Sequence, residues 1–346
     1  PFDGTRRAPR LPDEPYHFMS RVLSVSSPPG VPTKGGTVVA EYDVPEGEWY
    51  FADAHVDAVP MPVLIEILLQ PCGWLSSYNG FAANRPPDDV VFRNLDGGDV
   101  VQHRPARVGT LRVTSTLERF ADGAGSTIVF FDVVCTQNDE VVMTMKTAFG
   151  FFSPEALKTQ VGLRMKPGVL EALSEPAPVE LPYRAPELDG APWLDQGRLQ
   201  VLDRVKFWPG GGGEAGLGRL VAEYDVTPPE AWFFKAHFFQ DPVQPGSLGL
   251  EAMQQAARAA VRLAGLAGAG DEFEFEPVAL DQMFSWKFRG QVTPPTNKRT
   301  KSEIEILSTQ SDDRGVLAVF DGRFWCDDLC IYETRGMGVR VIRRMS

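Results

Sequence analysis

The sequence reads VVAEYDVPEGEWYF at residues 38–51 and LVAEYDVTPPEAWFF at residues 220–234. AEYDV is identical at 40–44 and 222–226, and an aromatic trio follows each copy, Trp49-Tyr50-Phe51 and Trp232-Phe233-Phe234. The copies lie about 180 residues apart, far longer than a solenoid repeat, so the chain is expected to hold one domain-sized unit twice. What surrounds the copies repeats in the same order. A histidine follows the aromatics (His55, His237), then a proline turn, then an apolar helix-like run. That run is VLIEILLQPCGWLSSY (63–78) in the first half and SLGLEAMQQAARAAVRLAG (247–265) in the second.

Strand-like stretches complete each half. In the first half they are GTLRVTSTLERF (109–120), STIVFFDVVCTQ (126–137) and EVVMTMKTAFGFF (140–152). In the second they are SWKFRGQVTP (285–294), KSEIEILSTQ (301–310), GVLAVFDGRFWCD (315–327) and MGVRVIRR (337–344). Alternating β-branched and aromatic residues, broken by Asp, Asn and Gly, predict antiparallel hairpins. One helix and several such strands, twice, predict an α+β fold in which each helix packs on its own sheet and the two sheets pair into one. The expected units are residues 1–165 and 196–346. The Pro- and acid-rich stretch 166–195 reads as a connector with at most one short helix. PGGGGEAG (209–216) lacks the Gly-Lys-Ser/Thr of a phosphate loop and reads as an ordinary loop.

Composition narrows the function. Over 346 residues the net charge is -12, which argues against a nucleic-acid partner. No run of eighteen or more apolar residues occurs, so no membrane span is expected. Four scattered cysteines predict reduced thiols and a cytoplasmic protein rather than a disulfide framework. The chain starts without Met or a signal-like apolar region, and is expected to be a piece of a longer polypeptide.

The candidate chemistry sits in AHFFQDPVQPGSLGLEAMQQ (236–255). A neutral imidazole such as His237 can accept a proton at neutral pH. Pro245-Gly246 makes a turn from which Ser247 opens a helix, and the free N–H groups of a helix start can polarise a carbonyl and stabilise an enolate. Glu251, a turn further in, can donate a proton if burial keeps it protonated, and Gln255 follows on the same face. A lone histidine among aromatics is more often a packing residue. Here the pattern recurs: Pro60 to Glu66 and Pro245 to Glu251 are both six residues, and Glu66 to Gln70 and Glu251 to Gln255 both four. His17 and His103 read as surface or packing residues.

In order, His237, Asp241-Pro242-Val243, Pro245-Gly246, Leu248-Gly249-Leu250 and Glu251 resemble the active-site segment of FabA-like 3-hydroxyacyl-acyl-carrier-protein dehydratases. WKFRGQVTP (286–294) and DGRFWCDDLCIYE (321–333) resemble that family's later strands, so the likeness runs from about residue 200 to 345. A tandem carrying LQPCGWLSSYNG (69–80) and FRNLDG (92–97) resembles a dehydratase region of the polyunsaturated fatty acid synthases, megasynthases related to iterative polyketide synthases.

The resemblance implies a double hot-dog, two units each wrapping an antiparallel sheet around a long central helix. It implies that each site takes its histidine from one unit and its acid from the other, so that His237 faces Glu66 and His55 faces Glu251. His237 would then remove the α-proton of a (3R)-3-hydroxyacyl thioester, the Gly246 N–H would hold the carbonyl oxygen, and the carboxyl would protonate the departing hydroxyl. Gln70, Gln255, Ser247 and Pro245 would support the two sites. No metal or redox cofactor is implied. The acyl chain would arrive on the phosphopantetheine of an acyl carrier protein, and neighbouring synthase domains and a second copy of the chain are further implied partners.

The chain departs from the family pattern in two ways. Glu stands twice where Asp is usual. The first half lacks the Asp-Pro-Val loop and the Pro-Gly turn, has Met61-Pro62 where Gly-Ser would be, and carries Pro71, which should kink its helix. A degenerate first unit with an inert pocket is therefore expected at His55. Isomerisation of the new double bond, thioester hydrolysis and non-catalytic acyl binding are the competing functions.

Overall fold

The computed structural model describes residues 7–85, 89–123, 125–158, 160–185, 188, 194–210, 212–226, 231–267, 273–294 and 299–343. Much of the second half of the predicted connector, Gly211 of the Gly-rich loop and the end of the last predicted strand lie outside the described residues.

The alternation in the sequence becomes a period of two in burial. Along 126–137, Val129, Phe131, Val133 and Cys135 are buried while Ile128, Phe130 and Asp132 between them are not. The first half contributes β1 (Arg21–Val25), β2 (Thr37–Val44), β3 (Val91–Gln102), β4 (Gly109–Gly123), β5 (Ser126–Gln137) and β6 (Glu140–Phe152). The remainder contributes β7 (Val179–Pro182), β8 (Arg204–Trp208), β9 (Arg219–Asp225), β10 (Phe273–Phe275), β11 (Phe284–Phe288), β12 (Arg299–Asp312), β13 (Gly315–Cys326) and β14 (Leu329–Arg343). The helices are α1 (Trp49–Asp53), α2 (Met61–Tyr78), α3 (Val169–Ala172), α4 (Trp232–Ala236) and α5 (Gly246–Leu263).

All fourteen strands form one antiparallel sheet in the order β1-β2-β4-β5-β6-β3-β11-β14-β13-β12-β9-β8-β7, with β10 paired to β14. Read outward from the β3–β11 junction, the order is the same on both sides: β3 matches β11, β6 matches β14, β5 matches β13, and so on to β1 and β8. The halves are thus related by a pseudo-twofold axis through that junction. The junction needs a glycine, because Trp286 lies over Gly97, where an added Cβ would come within 2.4 Å of the indole.

Each half wraps its curved sheet around one helix. Every residue of α2 from Met61 to Cys72 is buried, as is every residue of α5 from Ser247 to Val261. A helix apolar on all sides belongs in a core, and these two also pack against each other. The result is the double hot-dog with one continuous sheet.

Several local expectations change. Pro71 removes one backbone donor but does not end its helix, which runs unbroken to Tyr78. The strand predicted over 285–294 stops at Phe288. Beyond it, Gly290 packs against Ile331, Gln291 N donates to Gln160 Oε1 at 2.7 Å, and the Val292 carbonyl accepts from Gln244 N at 3.0 Å. That segment leaves the sheet to brace the turn before α5. The connector does more than link, since β7 pairs with β8 and Asp195 is 1% exposed.

The AEYDV repeat itself is a structural device. Glu41 pairs with Arg21 at 2.6 Å and Arg112 at 3.0 Å, and Glu223 with Arg204 at 2.6 Å and Arg299 at 3.6 Å. Asp43 and Asp225 pair with the same Arg21, Arg204 and Arg299. These partly exposed ladders fix the pairing of strands and contribute about 0–1 kcal/mol per pair.

Candidate active site

A fully buried helix cannot leave a polar side chain without a partner, so the polar residues of α2 and α5 mark where chemistry is possible. On α2 they include Glu66 and Gln70; on α5 they include Ser247, Glu251, Gln255 and Arg258. They form two clusters, one on each side of the pseudo-twofold axis.

The first cluster opens on a cavity of about 490 Å³ between the two halves, lined by Glu66, Gly73, Arg93, His237, Gly246 and Ser247 among others. His237 caps α4, and its Nδ1 lies 2.9 Å from the Val243 carbonyl. A carbonyl only accepts, so Nδ1 carries the proton and Nε2 is the basic nitrogen. Burial lowers the pKa of His237 to about 4, aided by Arg93 and opposed by the Val243 bond and Asp241. The ring stacks on Phe238 at 4.0 Å. It is therefore neutral and held in one tautomer across the physiological range.

Glu66 comes from the other unit. Its Oε1 accepts from Ser247 Oγ at 2.8 Å, and burial raises its pKa to about 7 although the Ser247 bond lowers it. A substantial fraction is a neutral acid at pH 7. The helix carrying Ser247 begins one residue earlier than expected, at Gly246 with Pro245 as N-cap, and no side chain caps it. The serine hydroxyl is instead spent on Glu66. Gly246 is required by packing: an added Cβ would lie 2.3 Å from the Phe288 ring. The Gly246 N–H lies in the first turn of α5, where no carbonyl four residues back belongs to the helix.

Sequence reasoning missed two residues here. Arg93, on β3, makes a two-pronged bond to Asp241 at 2.6 and 2.8 Å and donates to Gln291 Oε1 at 2.8 Å. It thereby ties the His237 loop to the opposite unit. The available signal was an Arg in the FRNLDG stretch and an Asp in the loop, with nothing to join them. Tyr16, in the N-terminal lead-in, has its hydroxyl 2.7 Å from Ser247 Oγ. The Gln70 amide grips that lead-in, accepting from Phe18 N at 2.7 Å and donating to Tyr16 O at 2.8 Å. Gln255 does the same to the second lead-in, donating to Leu199 O at 2.7 Å. The paired glutamines are thus clamps on backbone.

The second cluster gathers His55 and Glu251, neither of which lines the cavity. Arg258 lies between the acids, its Nη2 2.6 Å from Glu251 Oε1 and ion-paired to Asp195. His55 Nδ1 lies 2.7 Å from Asp195 Oδ1. Burial would raise Asp195, but Arg258 and then His55 hold it below the usual carboxylate range. Burial, with Asp195 nearby, pushes Glu251 up in spite of Arg258. Burial and then Arg258 lower His55. A buried Asp195–Arg258 ion pair thus stands where the first cluster has open space. His17 bonds the Pro12 and Met19 carbonyls and His103 pairs with Asp281, both away from the cavity. Among the described residues no His, Cys, Asp and Glu cluster fit for a metal occurs, and no helix is long and apolar enough to cross a membrane.

The fold and the cavity together define a FabA-like hot-dog protein, and residues 194–335 match the family model of the FabA-like domain. The chain belongs with the polyunsaturated fatty acid synthases: over 332 residues it is 32% identical to one subunit of that synthase from Thraustochytrium sp.. That alignment takes in 90% of this chain and 22% of the relative, so the chain spans about a fifth of the relative's length. Among solved structures, the dehydratase domain from the CurF module of curacin polyketide synthase is similar at 12% identity with a TM-score of 0.52, covering 94% of this chain and 98% of that one. An oleoyl thioesterase from Lactobacillus plantarum is similar at 9% identity and a TM-score of 0.52, covering 89% and 97%. At such identities these two share the fold alone, and the fold serves both reactions.

Proposed function

We propose that the chain dehydrates (3R)-3-hydroxyacyl thioesters to trans-2-enoyl thioesters. The observation that carries this reading is a neutral His237 of fixed tautomer sharing one cavity with a largely protonated Glu66. Elimination needs a base and an acid in their uncharged forms at the same pH. His237 Nε2 takes the α-proton, and the C–H electron pair becomes the new double bond. The first-turn N–H of Gly246 stabilises the enolate-like carbonyl oxygen. The C3–O bond breaks as Glu66 gives its proton to the hydroxyl, which leaves as water. His237 ends protonated and Glu66 ionised, and a net proton transfer between them through solvent restores both. The steps balance without a metal or redox cofactor.

The apolar wall of the cavity, with Phe92, Phe149, Phe151, Trp74 and Leu157, suits a fatty acyl chain. The likeness to part of a fatty acid synthase supports delivery on the phosphopantetheine of an acyl carrier protein, inside a larger synthase in the cytoplasm. His55 and Glu251 are read as an inert counterpart, because Asp195 and Arg258 already engage them.

Mass spectrometry of 3-hydroxyacyl carrier protein tests the proposal. Water is lost with the wild type and with Glu251→Gln, and at least about 100-fold more slowly with His237→Ala and Glu66→Gln. Thioester hydrolysis that survives His237→Ala, with no loss of water in any variant, would instead establish a thioesterase. Binding without either reaction would establish a carrier module.

A further inference from the structure

We infer that Tyr16 is a positioning residue for the acid of this site, acting on Glu66 through Ser247. The inference rests on the dehydratase reading for its consequence in catalysis but not for its geometry. Ser247 Oγ is 2.8 Å from Glu66 Oε1 and 2.7 Å from the Tyr16 hydroxyl. The single Ser247 proton goes to the carboxyl oxygen, so the Tyr16 proton goes to Ser247, and the chain runs one way, from Tyr16 to Ser247 to Glu66. It occupies Oε1 and leaves Oε2 as the oxygen that can hold the transferable proton.

Tyr16 is 0% exposed and held on all sides. Its ring meets Phe18 at 5.1 Å, Trp232 at 5.3 Å and the His237 ring at 6.3 Å, each edge to face. Its carbonyl is gripped by Gln70. One side chain therefore touches the histidine's ring and, through one hydroxyl, the acid.

The pseudo-twofold supplies an internal control. The clamp that holds Tyr16 in one half holds Leu199 in the other, and Leu199 has no hydroxyl. By the spacing that equates Glu66 with Glu251, Ser247 corresponds to Pro62, which has no side-chain donor either. The clamp occurs twice and the relay once, on the side with the cavity. A relay needed only for packing would have no reason to follow the cavity.

Its chemical work comes as the hydroxyl leaves. Glu66 then becomes a buried carboxylate, and two oriented hydroxyls stabilise that charge without reorganising. Removing the outer one raises the pKa of Glu66. The charged groups around Glu66 are His237, Arg93, Arg10 and Arg289 on the cavity, Asp241 paired to Arg93, and Glu251 and Arg258 further along α5. None of them changes in Tyr16→Phe, which also keeps the ring.

The test is a carboxyl-stretch infrared titration of Glu66, its band assigned by its loss in Glu66→Gln, run beside pH–rate profiles. In Tyr16→Phe the midpoint rises by about half a pH unit or more, and the alkaline limb of the rate profile rises with it. kcat falls roughly 5- to 20-fold while KM stays within about twofold. Difluorotyrosine at position 16, a stronger donor of the same shape, moves midpoint and limb the other way and serves if Tyr16→Phe does not fold. A midpoint unmoved by either change overturns the inference. If the wild type fails to dehydrate, the functional reading falls and the infrared midpoints still decide the relay.

Discussion

Gly73 and Arg258 hold the same place in the two halves, each seven residues beyond a helical glutamate, Glu66 and Glu251. Gly73 lines the cavity, whereas Arg258 fills the matching space and binds the glutamate behind it. A buried guanidinium needs a counter-ion, and Asp195 provides it from the lead-in to the second unit. The offset that equates Tyr16 with Leu199 places Pro12 opposite Asp195, and Pro12 lines the cavity. The histidines differ accordingly: His237 Nδ1 meets a backbone carbonyl, and His55 Nδ1 meets a carboxylate. Two coupled positions thus separate a cavity from an ion pair on the same scaffold, while the helices, clamps and strand order stay alike.

The comparison breaks most sharply at the histidines. Dehydration by His237→Ala is expected to fall on the order of 10²- to 10⁴-fold, and that of His55→Ala to stay within about twofold, by carrier-protein mass spectrometry. If both fall alike, the halves are not different. Next in size is Gly73→Arg, which carries the plug across the axis. A Cβ at Gly73 meets only Phe92 Cε1, at 3.5 Å, so the backbone admits the change. A guanidinium beside Glu66 keeps the carboxyl ionised and takes up acyl space, and the rate should drop about 100-fold or more. An unchanged rate would mean that the two positions are not equivalent.

Arg258→Met removes the plug's charge and strands Asp195. Urea unfolding should show a loss of about 3–5 kcal/mol, with the dehydration rate of the folded fraction little changed. A neutral result would show the pair to be dispensable. The smallest effect concerns Glu66 as a burden on the fold. Its folded pKa near 7 exceeds the 4.5 of an ordinary glutamate, so the folded state binds the extra proton between those values. The wild type therefore loses stability as pH rises from 4.5 through 7. Glu66→Gln escapes that loss and should gain up to about 3 kcal/mol over the wild type by about pH 8, and almost none at about pH 4. A pH-independent difference in urea midpoints would place Glu66 in contact with water instead.

The sequence made visible what repeats and what alternates. The hairpins of β4–β5 and β5–β6 followed from period-two residues broken by Gly, Asn and Asp. The central helices followed from apolar runs whose glutamate and glutamine recur at fixed spacing. Glu66 and His237 were legible because the first recurs and the second sits in a patterned loop. Arg258 was not legible as a plug. In AARAAVR it looks like an ordinary helical arginine, and only burial by a partner 63 residues away, counted from Asp195, gives it meaning. Tyr16 was hidden for the same reason, since its hydroxyl reaches a serine 231 residues later in the chain. The strand predicted over 285–294 ran too long because pattern cannot sense that Val292 is wanted by Gln244.

By itself, then, the order of residues determined the duplication, the α+β character and which side chains were candidates, because period and spacing are properties of a chain segment. Tertiary structure alone decided which histidine keeps a neutral partner and an open space, and which is closed off by an ion pair. Burial and the sign of a neighbouring charge are set by segments that meet only after the two sheets join, and those two quantities are what tune a carboxyl or an imidazole.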